Sequence, residues 1–394
     1  MRHTRLNLSL IQTCAALSLL EKLHTIAGLI NYLRSHPGLL AIRDSRSPSE
    51  STTRSQVTTN TTWHCLSAVA GSLINLTPAG WISISGLARD AAREFLNLST
   101  DNSGEIRVTL THVVQAVSLR VVLQVLSKTE NDGVMDRVGY DHLLMIADAI
   151  NRIWIESKKE GPTPRFEDNL NLDLRESLLA VFARISLLNP RENPLNLILP
   201  AFETLWRITL RTLIETRFTT GRNHPEWRNM LVSFAQVPTK EKFDEGEICV
   251  GYLVTEALRL YPPTKRVHRE YKSAAGSTPV TIAADLEACQ TASDIWGSDA
   301  IAFKPARWNG VTDQQRKAFL PFGSPPFTCP ARPVFGPRMI ALLVGTLIGE
   351  LEQGDWRLHS DEIKVMKDLG SGKRLSSKRE AYEEVFLLGR RGGS

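Results

Sequence analysis

The chain has no Cys-x-x-Cys pair. Its five cysteines, Cys14, Cys65, Cys249, Cys289 and Cys329, are scattered along 394 residues. That spacing excludes a disulfide framework and a cysteine-rich zinc site, and it fits a reducing compartment. No long apolar run is present either. The candidate from Leu6 to Leu20 contains Asn7, Gln12 and Thr13 and is closed by Glu21 and Lys22, so it is too short and too polar for a spanning helix. The net charge of +5 comes from dispersed Lys and Arg and forms no stripe, which argues against a nucleic-acid partner and would suit an acidic protein partner. No internal repeat is evident, and the helical segments before residue 190 hold no paired carboxylates and no His/Cys cluster. Their role is scaffold.

What is present is apolar content at helical spacing. At 42% hydrophobic, the chain can bury one large core or two modest ones. Apolar residues at i, i+3 and i+4 predict helices over 81–98, 110–126, 140–157, 172–188 and 339–351, the last buried on all sides. An amphipathic helix over 19–33 suits a core better than a membrane surface, with peripheral membrane contact as its alternative. Residues 44–62 form a polar loop, 161–164 a Gly/Pro break, and 390–394 a disordered tail after short strands. Four Asn-x-Ser/Thr triplets, at Asn7, Asn60, Asn75 and Asn97, would stay bare in a protein facing the cytosol.

Chemistry concentrates at residues 319–339, FLPFGSPPFTCPARPVFGPRM. Prolines 321, 325, 326, 330 and 333 forbid a regular element around Cys329 and fix its backbone. The thiol is then either a structural cysteine in a Pro-rich loop or a thiolate ligand favoured by the helix start that follows. Three further constellations lie upstream. Residues 195–211 read as a long amphipathic helix with Pro200 inside, followed by Glu203 and Thr204. This is either an ordinary kinked helix or an opened groove where an acid and a hydroxyl relay protons. Glu256 and Arg259 share a helix face just before Tyr261-Pro-Pro ends the helix. In residues 302–307, FKP precedes Arg307-Trp308, a packed meander whose guanidinium seeks a buried carboxylate.

These stretches resemble the signatures of the cytochrome P450 family. Residues 322–331 are similar to its Phe-x-x-Gly-x-(Arg/His)-x-Cys-x-Gly loop, with Pro325, Phe327 and Ala331 as departures and Gly323 shifted. Ala201–Thr204 is similar to the last places of (Ala/Gly)-Gly-x-(Asp/Glu)-Thr, and Glu256-x-x-Arg259 with Arg307 to the family's structural clamp. Thr204 lies 52 positions before Glu256, and Cys329 lies 73 after it, in the family's order.

The clear match runs over 172–351, within a single domain taken to span 1–394 and to be divergent and short at its N-terminus. The resemblance implies a mainly α fold with minor β holding haem b (iron protoporphyrin IX), with Cys329 as axial iron ligand and Phe322 beside it. His268 is expected on a propionate, with Arg266, Arg269 or a merely solvated basic turn as rivals. Glu203 and Thr204 would deliver protons, while Glu256, Arg259 and Arg307 would clamp the scaffold. It also implies a monooxygenase taking dioxygen, a small lipophilic substrate and electrons from an NADPH-dependent reductase or similar donor, on the cytoplasmic side of the endoplasmic reticulum. An isomerase or dehydratase needing no external electrons and a non-catalytic relative without haem are the alternatives.

Overall fold

The computed structural model describes residues 71, 74–97, 105–126, 139–156, 172–182, 195–271, 280–324, 328–332 and 334–391. The expected helix at 19–33, the polar loop 44–62, the break at 161–164, Cys14, Cys65 and residues 392–394 lie outside the described residues. Along the chain come α1 (Pro78–Asn97), β1 (Ile106–Thr109), α2 (Leu110–Leu126), α3 (Tyr140–Glu156), α4 (Leu172–Val181) and α5 (Leu195–Leu213). Then follow α6 (Pro225–Gln236), α7 (Lys240–Asp244), α8 (Val250–Leu260), β2 (Arg266–Tyr271), β3 (Val280–Asp285), α9 (Leu286–Thr291) and α10 (Ser293–Trp296). The C-terminal part holds α11 (Asp313–Ala318), α12 (Phe335–Leu351), β4 (Gly354–His359), α13 (Ile363–Gly370) and β5 (Phe386–Arg391). The fold is mainly α with minor β, as the helical periodicity and the family resemblance lead one to expect.

The residues gather into two compact units. In the unit containing Leu126–Pro200, α3 packs on α4. Leu143, Ile146, Ala147 and Ile150 recur at helical spacing on α3 and are buried, as are Leu174 and Leu178 on α4.

The other unit takes in Ile74–Val125, Ala201–Val267 and Ala283–Ser394, and it is built around α12. This helix is apolar on every face, and α6, α1 and α8 pack around it. Each fully buried Leu or Val there contributes about 1.5–3 kcal/mol. Gly345 lets α6 come close: a Cβ at that position would sit 2.0 Å from the carbonyl oxygen of Leu231. Sequence periodicity starts this helix at Met339, whereas the first turn reaches back to Phe335 with Pro337 inside it, a position where a missing N–H costs nothing.

A three-stranded antiparallel sheet, in the order β1-β5-β4, closes this unit. Gly389 sits opposite Ile106 on one side and Trp356 on the other. Arg390 and Arg391 are the last rungs of β5, paired with Asp355 and Gly354, so the disordered tail expected from residue 390 does not begin there. The amphipathic α13 also interrupts the short strands expected after Trp356. Among the described residues no helix is long and apolar enough to cross a membrane.

Candidate functional site: a guanidinium clamp under a cysteine loop

The clamp is built on α8. Glu256 and Arg259 lie one turn apart, so their side chains leave the helix on the same face. Both are fully buried. Arg259 Nε donates to Glu256 Oε2 at 2.9 Å and Nη2 to Oε1 at 2.8 Å, a two-pronged pair that a planar guanidinium favours. The remaining donors of Arg259 go to the carbonyls of Gln290, Ala300 and Ala302. Its guanidinium also lies 4.9 Å from the centre of the Trp296 ring.

Arg307 enters from the other side. It reaches the clamp from the short 3₁₀ turn Pro305–Gly310, with Nε on Glu256 Oε1 at 3.1 Å and Nη1 on Asp299 Oδ1 at 3.0 Å. Trp308 Nε1 and the backbone N–H of Lys304 complete the shell of Glu256, both at 3.0 Å. One buried carboxylate thus accepts from two guanidiniums, an indole and an amide, which is what a charge needs when water is excluded. Asp299 is held below the usual carboxylate range, first by the Lys304 ammonium and then by Arg307.

The clamp is fastened to the cysteine loop. Gln290 donates Nε2 to the carbonyls of Leu258 and Arg259, which end α8, and its Oε1 accepts from the N–H of Leu320 at 2.7 Å. Trp308 stacks edge-on against Phe319 with ring centres 4.9 Å apart, and both pack on Trp296, Ala300 and Ala318. So the chain enters the loop at 319–320 already tied to the clamp. Gly323, at φ +73°, then turns it, and the N–H of Cys329 donates to the carbonyl of Phe322 at 2.8 Å. The Cys329 carbonyl accepts from the N–H of Arg332 at 3.1 Å, and Gly336 N–H reaches the Ala331 carbonyl at 2.7 Å as α12 begins. A Cβ on Gly336 would lie 2.9 Å from the Phe322 ring, so glycine is what lets that ring lie against the start of α12. Pro325, Pro326, Phe327 and Pro333 lie outside the described residues.

Glu203 and Thr204 are adjacent in sequence and are not brought together. Glu203 is buried and ion-paired with the Arg379 guanidinium. Thr204 is exposed, about 100° round the helix, and its hydroxyl donates to the carbonyl of Ala201 at 3.3 Å. Glu203, Arg207 and Arg211 instead form one stripe at i, i+4 and i+8. Helix α5 runs through Pro200 and ends in a π-helical turn, Ile214–Phe218. Buried there, Glu215 accepts from Tyr261 and from Thr219 and Thr220 at 2.9 and 2.7 Å. Burial is the largest influence on its carboxyl and pushes it up. His268 lies on β2, and its side chain lies outside the described residues.

Gln290, Asp299, Arg379 and Glu215 are the polar residues that sequence reasoning misses. Gln290 and Asp299 stand on short, weakly patterned segments, and nothing local ties Arg379 to Glu203. The one legible signal is Tyr261, whose buried phenol ends α8 and needs a partner.

Haem is implied by the family signatures, and the cysteine loop can be tested against it. A half-buried thiol without a disulfide, on a loop braced from the clamp and followed by a glycine-mediated close approach, offers the single soft ligand that a haem-thiolate centre needs. Among the described residues no group of three or more His, Cys, Asp and Glu competes as a metal site. These residues fit the group.

A mainly helical framework with a Glu–Arg–Arg clamp beneath a cysteine loop defines the class as cytochrome P450-like. Comparison with known proteins agrees. The chain is 39% identical over 90 residues to "Cytochrome P450 CYP749A22" of Panax ginseng, covering 20% of this chain and 17% of that protein. It is 32% identical over 131 residues to "Cytochrome P450 705A1" of Arabidopsis thaliana, covering 30% of this chain and 24% of the relative. It is 31% identical over 121 residues to "Secologanin synthase 1" of Catharanthus roseus, covering 27% and 23%. No protein-family profile matches the chain. The chain is a divergent cytochrome P450-like protein, similar to these relatives over at most 24% of their length.

Proposed function

We propose that the chain is a haem-thiolate monooxygenase that inserts one atom of dioxygen into a small lipophilic substrate. Its electrons come from an NADPH-dependent reductase or a similar donor, on the cytoplasmic side of the endoplasmic reticulum. The observation that carries this reading is the continuous link from the clamp to the loop that bears Cys329, running from Arg259 through Gln290 to Leu320 and from Glu256 through Trp308 to Phe319. Haem b, when bound, supplies the dioxygen chemistry, and thiolate ligation favours O–O cleavage. Cys329 would hold the haem iron through its thiolate, and Phe322 and His268 would help hold the group. Thr204 presents the hydroxyl through which a proton can pass, and Glu203 joins it only on leaving Arg379.

The test is the reduced, carbon-monoxide-bound spectrum of protein reconstituted with haemin. The red-shifted thiolate band is expected, and Cys329→Ser should abolish it. A wild-type protein without that band would overturn the reading in favour of a relative that binds no haem. One observation favours a second reading, an isomerase or dehydratase acting without external electrons: Glu203 is engaged in an ion pair rather than facing Thr204. NADPH consumption with a reductase and substrate separates the two.

A further inference from the structure

The segment 374–379 is a strap of backbone bound almost wholly by side chains of other elements. Its carbonyls at Ser376 and Lys378 accept from Arg211 at 3.0 and 2.6 Å, and that of Ser377 from Arg207 at 3.4 Å. Its N–H groups at Leu375 and Ser376 donate to the hydroxyls of Tyr261 and Tyr382. At its ends Arg374 pairs with Glu287 and Arg379 with Glu203.

The charges here do not balance. Arg207, Arg211, Arg374, Arg379 and Lys265 are five cations around three carboxyls, Glu203, Glu287 and the Tyr261-bonded Glu215, a surplus of two. Burial first, then the Arg379 and Arg211 charges, push Arg207 down to about 9. A guanidinium stays protonated at neutral pH, so the strain is electrostatic and favours an added anion.

Two serines lie in this field. Ser377 is spent on Glu287, to which its side chain is hydrogen-bonded. Ser376 is exposed, and its hydroxyl accepts only a long bond, from the N–H of Lys378 at 3.3 Å. The residues three and two positions before it are Lys373 and Arg374, with Lys378 and Arg379 just after.

We propose that Ser376 is a phosphoacceptor for a serine kinase selecting basic residues two and three positions upstream, and that the phosphate is held in the field of Arg211, Lys378 and Arg379. In the transfer, Ser376 Oγ forms the bond to the γ-phosphorus of ATP and the bridging P–O bond breaks. ADP leaves, and the hydroxyl proton passes to the kinase's base. The phosphate adds a charge of about −1.5 to −2, which offsets most of the surplus and strengthens the hold of the strap on α5.

The full folded chain is incubated with such a kinase and ATP, and its mass and unfolding midpoint are measured. The expected result is a gain of about 80 Da, mapped to Ser376 and absent from Ser376→Ala, with the midpoint raised by about 2–4 °C and the rise shrinking in high salt. Two results overturn the proposal. One is a folded chain that stays unmodified at Ser376 while the urea-unfolded chain is modified. The other is a modified chain whose midpoint is unchanged or lower. Neither readout involves haem.

Discussion

Replacing Glu256 by Gln removes the one carboxylate that Arg259 touches while leaving the shape of the side chain almost unchanged. Arg307 retains Asp299 and the carbonyls of Asp299 and Trp296. Arg259, fully buried, retains the carbonyls of Gln290, Ala300 and Ala302 and the face of Trp296 but no counter-charge. Leaving one buried guanidinium without its counter-charge costs about 3–5 kcal/mol, a large part of the 5–15 kcal/mol that a folded domain typically has in reserve. Urea unfolding of wild type and Glu256→Gln at neutral pH, followed by tryptophan fluorescence, measures the difference. Trp296 and Trp308 report on the clamp itself, since one lies under Arg259 and the other bonds to Glu256. Arg307→Lys keeps the charge but loses the fork, and should cost about 1–2 kcal/mol because Asp299 remains within reach. If Glu256→Gln cost less than about 1 kcal/mol, the carboxylate would not be the centre of the network and the reasoning would fail.

Gly345→Val should destabilise by about 1–3 kcal/mol or more, because Leu231 backbone blocks the space, and thermal unfolding would show it; a neutral result would mean α6 and α12 are not so close. Glu215 should give a pH signature. Its folded carboxyl titrates above the unfolded value, so the folded state holds the proton more tightly and stability falls as pH rises from about 4.5 through the folded value. Unfolding free energies of wild type and Glu215→Gln across that range should therefore diverge, the variant losing less as pH rises. Arg379→Met removes the ion-pair partner of Glu203 and leaves it only the field of Arg207 one turn on, so it should cost about 1–3 kcal/mol, whereas pairing it with Glu203→Gln should recover much of that loss in a double-mutant cycle.

Local spacing determined a good deal about this protein. The helix over 110–126 has the bounds its apolar period implies, and Glu256 and Arg259 had to share a face because three residues make nearly one turn. The order of the Glu-Thr pair, the clamp motif, Arg307 and Cys329 was legible because each is a short run whose meaning lies in its own neighbours. Only tertiary structure decided the partners. Glu203 and Thr204 look like one unit in sequence, yet a 100° step along α5 buries one against Arg379 and leaves the other exposed. Gln290 joins α8 to Leu320, and Asp299 shares Arg307 with Glu256, through contacts no periodicity encodes. The physical reason is that a buried charge takes whichever partner packing brings within hydrogen-bond reach, and packing is settled by the whole core at once.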